Sequence, residues 1–216
     1  MKKTIISCSL LLIPFLFGLF VAVNDGIIYP FEKAVFDLLS NLRPAADYFF
    51  IPLTELGGTL GLISVVAVVL VVSIFTKQFF TVGLPAGLVA LISRIVNVLA
   101  KALTDRPRPD FKTLEVSETS FPSGHSQNNM AFYIALLICL LLVVTAPKWR
   151  VILKAVLIAL PVLIGISRIY LGVHYISDVI AGWSIGAIVA IVFCFVYFKI
   201  YNNIKEKRNA KNRVLS

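Results

Sequence analysis

Residues 167–178 read Ser-Arg-Ile-Tyr-Leu-Gly-Val-His-Tyr-Ile-Ser-Asp. They join the end of one long apolar segment to the start of the next, and they put Arg168, His174 and Asp178 at that junction, where a polar triplet is least expected. His174 and Asp178 are four residues apart, so on a helix they share a face and the carboxylate reaches the imidazole. A carboxylate that keeps one ring nitrogen protonated leaves the lone pair of the other free to attack, and a nearby guanidinium can grip an anionic substrate. The plainer alternative is that the pair caps the helix beginning near Tyr175.

The segments on either side decide the fold class. The chain has 216 residues, 59% of them hydrophobic and only 14% charged, and the apolar residues fall in blocks rather than in an amphipathic rhythm. About 20 such residues span a bilayer as a helix. Six blocks qualify, near 4–23, 56–76, 80–100, 127–146, 151–170 and 177–198. No ten-residue alternation suggests a barrel, so the expectation is an all-α, six-helix transmembrane bundle. Residues 1–200 form that domain and residues 201–216 a basic tail. Met1-Lys2-Lys3 before a long run without a small-x-small cleavage site reads as an uncleaved first helix. Cys8, Cys139 and Cys194 all lie inside apolar blocks and read as small packing residues rather than a disulfide framework.

The formal net charge of +9 would suit a nucleic-acid binder, but its distribution excludes that class. With both termini cytoplasmic, one side receives Lys2, Lys3, Lys77, Lys148, Arg150, Lys154, Lys199, Lys205, Lys207, Arg208, Lys211 and Arg213, 12 of the 20 basic residues, against the single acid Glu206. This is the positive-inside bias.

On the outer side, Asn24-Asp25-Gly26 reads as a turn. From Pro30 an amphipathic helix is expected, with Phe31, Ala34, Val35, Leu38, Leu39 and Leu42 on one face and Glu32, Lys33, Asp37, Asn41 and Arg43 on the other, lying along the interface. Ala45 to Leu56 reads as a second outer stretch leading through Gly57-Gly58 into the second span, and Lys77-Gln78 as a tight turn to the third. The third span carries Arg94, Asn97 and Lys101 on one face, with Arg94 either supporting a site beneath Lys101 or snorkelling to the headgroups. In the fifth span Pro161 and Gly165 are expected to kink or thin the helix.

The loop from Lys101 to Phe121 holds four bases and four acids, Glu115 and Glu118 among them. In Arg106-Pro107-Arg108-Pro109 two prolines stiffen the backbone and fix where the guanidiniums point. Phe121-Pro122-Ser123-Gly124-His125-Ser126 then opens the fourth span. Ser123 suits an N-cap, Gly124 permits close backbone approach, and the free N–H groups there favour a phosphate. His125 stands beside that anion, placed to give or take a proton. The chain has two histidines, and both fall at outer helix ends beside basic residues.

Taken in order, Lys101 with Arg108-Pro109, Pro122-Ser123-Gly124-His125, and Ser167-Arg168 with His174 and Asp178 resemble the three signature motifs of the type-2 phosphatidic acid phosphatase family. Those patterns are Lys-x6-Arg-Pro, Pro-Ser-Gly-His and Ser-Arg-x5-His-x3-Asp, and all three match in residue and spacing. The resemblance implies that His174 attacks phosphorus to form a phosphohistidine, oriented by Asp178, while His125 protonates the leaving oxygen. It also implies that Lys101, Arg108, Ser123, Gly124 and Arg168 bind the phosphoryl oxygens, with no metal or other cofactor.

The expected function is therefore hydrolysis of a lipid phosphate at the outer face of the cell membrane. The resemblance allows phosphatidylglycerol phosphate, undecaprenyl pyrophosphate, phosphatidic acid or diacylglycerol pyrophosphate as substrate. A phosphotransferase using the same intermediate and a non-enzymatic transporter or binder of anionic lipids are the alternatives. Partners are the lipid substrate and the bilayer, with no nucleic acid and no obligate protein partner. The soluble vanadate haloperoxidases share the motifs but not the six spans.

Overall fold

The computed structural model describes residues 2–24, 26–114, 116 and 119–215, with side chains between residues 4 and 209. Asp25, Glu115, Glu118 and the side chains of Lys2, Lys3, Lys211 and Arg213 lie outside the described residues. Within them the chain is helical and has no strand: α1 (Lys2–Val23), α2 (Tyr29–Ser40), α3 (Asp47–Leu56), α4 (Thr59–Phe75), α5 (Leu84–Ala102), α6 (Gly124–Val143), α7 (Pro147–Tyr170) and α8 (Ile176–Leu215). A π-helical turn, Phe79–Gly83, leads into α5. Five helices, α1 and α5 to α8, are long and apolar enough to cross a membrane, and α3 with α4 passes the same test as a span bent by 63°. The all-α transmembrane bundle expected from the six apolar blocks is thus the observed architecture.

The bend is where the stretch 45–56 differs from the outer connection expected. It is mostly helix, α3, with Asp47 in the first turn, where a carboxylate suits the helix dipole. The break falls at Gly57-Gly58 because α7 packs directly against it. A Cβ on Gly57 would lie 2.3 Å from Ile164 Cγ2. Pro161 and Gly165 leave α7 an unbroken helix. Gly165 instead makes room for the Trp183 ring, whose Nε1 donates to the Pro161 carbonyl at 3.1 Å.

α6 lies at the centre, packed by α5, α7 and α8, and α1 packs on α8. Without water to drive helices together, close backbone approach at small residues holds such a bundle. Gly182 and Gly186, one turn apart on α8, face α6, where added Cβ atoms would come within 2.8 Å of the Ser123 carbonyl oxygen and 2.3 Å of that of Gln127. The first turns of α6 are polar yet buried, through Ser126, Gln127, Asn128 and Asn129. They bond across helices, with Asn97 Nδ2 donating to Gln127 Oε1 at 3.0 Å, Ser93 Oγ to Asn128 Oδ1 at 3.0 Å, and Asn129 Nδ2 to the Gly57 carbonyl at 2.8 Å, while Asn97 Oδ1 and Asn129 Oδ1 are buried without a partner among the described residues. Polar groups at this depth face the protein interior, as their desolvation requires.

The outer helix α2 corrects the sequence reading of its faces. Phe31 and Leu38 are exposed, while Glu32 from the polar face is buried together with Phe36. The reason is the solvent: where lipid surrounds a helix, apolar side chains turn outward and a carboxylate is driven to a protein partner.

Candidate active site

His174 sits on the turn between α7 and α8. Gly172 makes that turn with φ +65°, and an added Cβ would lie 2.7 Å from the Phe111 carbonyl oxygen, so only glycine fits. Asp178, in the first turn of α8, does both things the sequence allowed. Its Oδ2 accepts from the Tyr175 backbone N–H at 3.0 Å, capping the helix, and stands 3.5 Å from His174 Nδ1. Ser120 Oγ donates to the same oxygen at 2.5 Å.

The other ring nitrogen fixes the tautomer. Arg108 Nη1 lies 3.2 Å from His174 Nε2, and a guanidinium can only donate. Nε2 therefore carries the lone pair and Nδ1 the proton facing Asp178. Burial of the ring pulls its pKa down to about 4, against the upward pull of the Asp178 hydrogen bond and charge. His174 is consequently neutral at pH 6, where an ordinary histidine is mostly protonated. Nitrogen NMR of protein labelled at histidine should show a neutral Nδ1–H ring for His174 at pH 6, assigned by loss of the signal in His174→Gln. An imidazolium spectrum there would contradict the arrangement.

Nε2 opens into a cavity of about 210 Å³. Its walls bring together Lys101 from α5, Arg108 from the loop, Gly124 and His125 from α6, Arg168 from α7 and His174. Arg108 Nη1 also donates to the Val173 carbonyl at 2.7 Å, and Lys101 Nζ to that of Thr119. Arg168 Nη1 donates to Thr54 Oγ1 at 2.6 Å, while its Nε is buried without a hydrogen-bond partner among the described residues. An unmet guanidinium N–H on the wall of a cationic cavity suits an anion with several acceptor oxygens.

Ser123 and Asp178 do not line this cavity. Ser123 is the N-cap of α6, accepting from the Ser126 N–H at 3.4 Å and from Ser126 Oγ at 2.9 Å. Its part is to set where the first helical N–H groups and His125 stand. Gly124 is forced by α5, because its Cβ would lie 2.9 Å from Asn97 Oδ1. Gly58 borders the cavity from the α3–α4 bend, 3.7 Å from His125 Nε2 at its Cβ position.

Behind the pair lies a group that motif spacing does not reveal. Arg106 points away from the cavity into the protein, 2% exposed, opposite in direction to Arg108 two residues on. Its Nη1 donates to Asp178 Oδ1 at 2.7 Å and to Ser177 Oγ at 2.7 Å, and its Nη2 donates to Glu32 Oε2 at 2.8 Å. Ser177 Oγ also donates to Glu32 Oε1, and the guanidinium lies 4.0 Å from the centre of the Tyr175 ring. Burial pushes the Glu32 carboxyl above the usual carboxylate range, while Ser177 and Arg106 pull it down. The outer helix α2 thereby fixes the carboxylate that faces the His174 ring. The only sequence hint was a carboxylate and an arginine on otherwise lipid-facing or loop segments.

Comparison with known proteins supplies the family and the fold. The family described as the PAP2 superfamily matches residues 58–202. Phosphatidylglycerophosphatase B of Bacillus subtilis is 33% identical over 80% of this chain and 87% of its own length. Undecaprenyl-diphosphatase of Sulfolobus acidocaldarius is 41% identical over 33% of this chain and 30% of its own length. The crystal structure of the transmembrane PAP2 type phosphatidylglycerolphosphate phosphatase of Bacillus subtilis superposes with a TM-score of 0.76 at 28% identity, covering 88% of this chain and 96% of that one. With the family matched across two thirds of its length and the bundle shared, the chain belongs to the PAP2 superfamily as a membrane-spanning phosphatase.

Proposed function

We propose that this protein hydrolyses the phosphomonoester or diphosphate headgroup of a membrane lipid through a phosphohistidine on His174, with no metal required. The observation that carries the reading is the lone pair of His174 Nε2, held beside Arg108 in a cavity that Lys101, Arg168 and His125 also line. When the phosphoryl group binds, Arg108 transfers its N–H from Nε2 to a phosphoryl oxygen and the lone pair is released. Nε2 then attacks phosphorus, the P–O bond opposite breaks, and His125 gives its proton to the departing oxygen. Asp178 stabilises the imidazolium left by P–N bond formation. Water next attacks phosphorus, yielding its proton to His125, and the P–N electron pair returns to Nε2 as phosphate leaves. Fixed cations stabilise the charge on the three equatorial oxygens, the role that metals fill elsewhere.

The two headgroups best supported are phosphatidylglycerol phosphate, from the Bacillus subtilis relatives, and undecaprenyl pyrophosphate, from the Sulfolobus acidocaldarius relative. The positive-inside bias supports cytoplasmic termini and a site on the outer face. The test is inorganic phosphate release by purified protein in detergent with a chelator present, offered the two lipids side by side. Turnover of either without added metal is expected. Silence on both by folded protein would overturn the reading, and phosphate release only after metal is restored would overturn its metal-free form.

A further inference from the structure

Arg94 lies on the same face of α5 as Lys101, about 10 Å deeper along the axis at 1.5 Å per residue. It borders the headgroup cavity, and it also borders a second cavity of about 370 Å³ whose other walls are apolar side chains of α4 and α5, Ile63, Val66, Leu70 and Leu91 among them. Thr59, Leu62 and Asn128 are shared by the two cavities in the same way, so the two spaces adjoin along these side chains. The apolar one runs along α4 from Thr59 to Leu70, about 16 Å, roughly half of the ~30 Å hydrocarbon core. A cleft of one leaflet's depth beside a phosphate cavity is shaped for the hydrocarbon chain of the substrate.

The junction between them is polar. Arg94 is exposed there and makes no hydrogen bond or ion pair among the described residues. Asn128 offers its amide N–H groups at the same place, since its Oδ1 is occupied by Ser93. A guanidinium inside a spanning helix is costly to insert, and no carboxylate among the described residues pairs with this one. Lys101, Arg108 and Arg168 already surround the scissile phosphate at Nε2, so Arg94 stands where the next group of the lipid must lie, between that phosphate and the chain.

We infer that Arg94, with Asn128, forms a subsite for a second anionic phosphate on the chain side of the scissile one. It thereby selects lipids with two phosphates over those with one. This rests on the proposed hydrolysis of lipid phosphates. The shared chemistry is a phosphate anion, supplied either by the phosphodiester of a glycerophospholipid that also carries a terminal phosphomonoester or by the inner phosphate of a polyprenyl diphosphate.

The experiment compares wild type, Arg94→Gln and Arg94→Lys on phosphatidic acid, phosphatidylglycerol phosphate and undecaprenyl pyrophosphate in one detergent, reading kcat/KM for each. Arg94→Gln is expected to lower kcat/KM for the two-phosphate lipids by about 10–100-fold, as for losing one charged hydrogen-bonding group, and to affect phosphatidic acid far less. Arg94→Lys should keep part of the preference, because the charge remains. A loss confined to phosphatidylglycerol phosphate assigns the subsite to a phosphodiester, and one confined to undecaprenyl pyrophosphate assigns it to the inner phosphate of a diphosphate. Equal loss on all three lipids, or none on any, would overturn the subsite while leaving the hydrolase reading intact. Absence of phosphate release by wild type from every lipid would instead overturn both.

Discussion

Replacing His174 by alanine is expected to lower phosphate release by on the order of 10⁴-fold or more, because it removes the nucleophile of the proposed mechanism. The size follows because His125 is assigned to the leaving oxygen and the other groups near the ring are poor substitutes. Ser120 Oγ is committed to Asp178, and Arg108 and Lys101 can only donate. The same variant should keep its affinity for inorganic phosphate, since Lys101, Arg108 and Arg168 remain on the cavity wall. Steady-state turnover with a phosphate-binding measurement on the same preparation checks both halves. Turnover within tenfold of wild type would remove His174 from the chemistry, and loss of phosphate binding would mean the ring also shapes the cavity.

The second large effect is expected at a residue that never meets the substrate. Arg106→Ala leaves Glu32 and Asp178 buried together without their shared cation, a change that typically costs about 3–5 kcal/mol when one partner of a buried ion pair is removed. Loss of Arg106 also removes one of the groups holding the Glu32 carboxyl down, so its pKa moves further up and Asp178 is left less firmly oriented. We expect kcat to fall by about 10–100-fold, as for partners that orient a functional ligand, with KM little changed because neither residue borders the headgroup cavity. Glu32→Gln should be milder, since the Asp178 contact survives, and the double variant should cost less than the two single effects added together. Thermal unfolding in detergent with steady-state kinetics would check this. A rise in KM at constant kcat would place Arg106 in substrate binding instead.

The parts of this protein that were readable in sequence are those whose physics is set by residue type and length alone. A bilayer demands about 20 apolar residues per crossing, so the six blocks stood out. The phosphoryl transfer proposed for His174 would need an orienting carboxylate, cations and a helix start, and the fold brings Lys101, Arg108, Gly124, His125, Arg168 and His174 around one cavity with Asp178 behind the His174 ring. Ser123 was legible as a cap and acts as one. Direction was not legible. Arg106 and Arg108 flank one proline, yet one enters the protein and the other the cavity, a choice made by Glu32 seventy-four residues away. Glu32 itself looked like the solvated face of an amphipathic helix, because the pattern of α2 is the same whether its apolar side meets a core or lipid. The helical character of 47–56 was hidden for a related reason: the Gly57-Gly58 bend it needs is explained only by α7 packing beneath it.

The most direct test of the account is the stereochemical course at phosphorus, using a lipid whose terminal group is a thiophosphate made chiral with two oxygen isotopes and hydrolysed in water carrying the third. Attack by His174 followed by attack by water inverts phosphorus twice, and the account predicts net retention. Net inversion would mean that water displaces the lipid in one step, and His174 would then be a base or a ligand rather than the nucleophile.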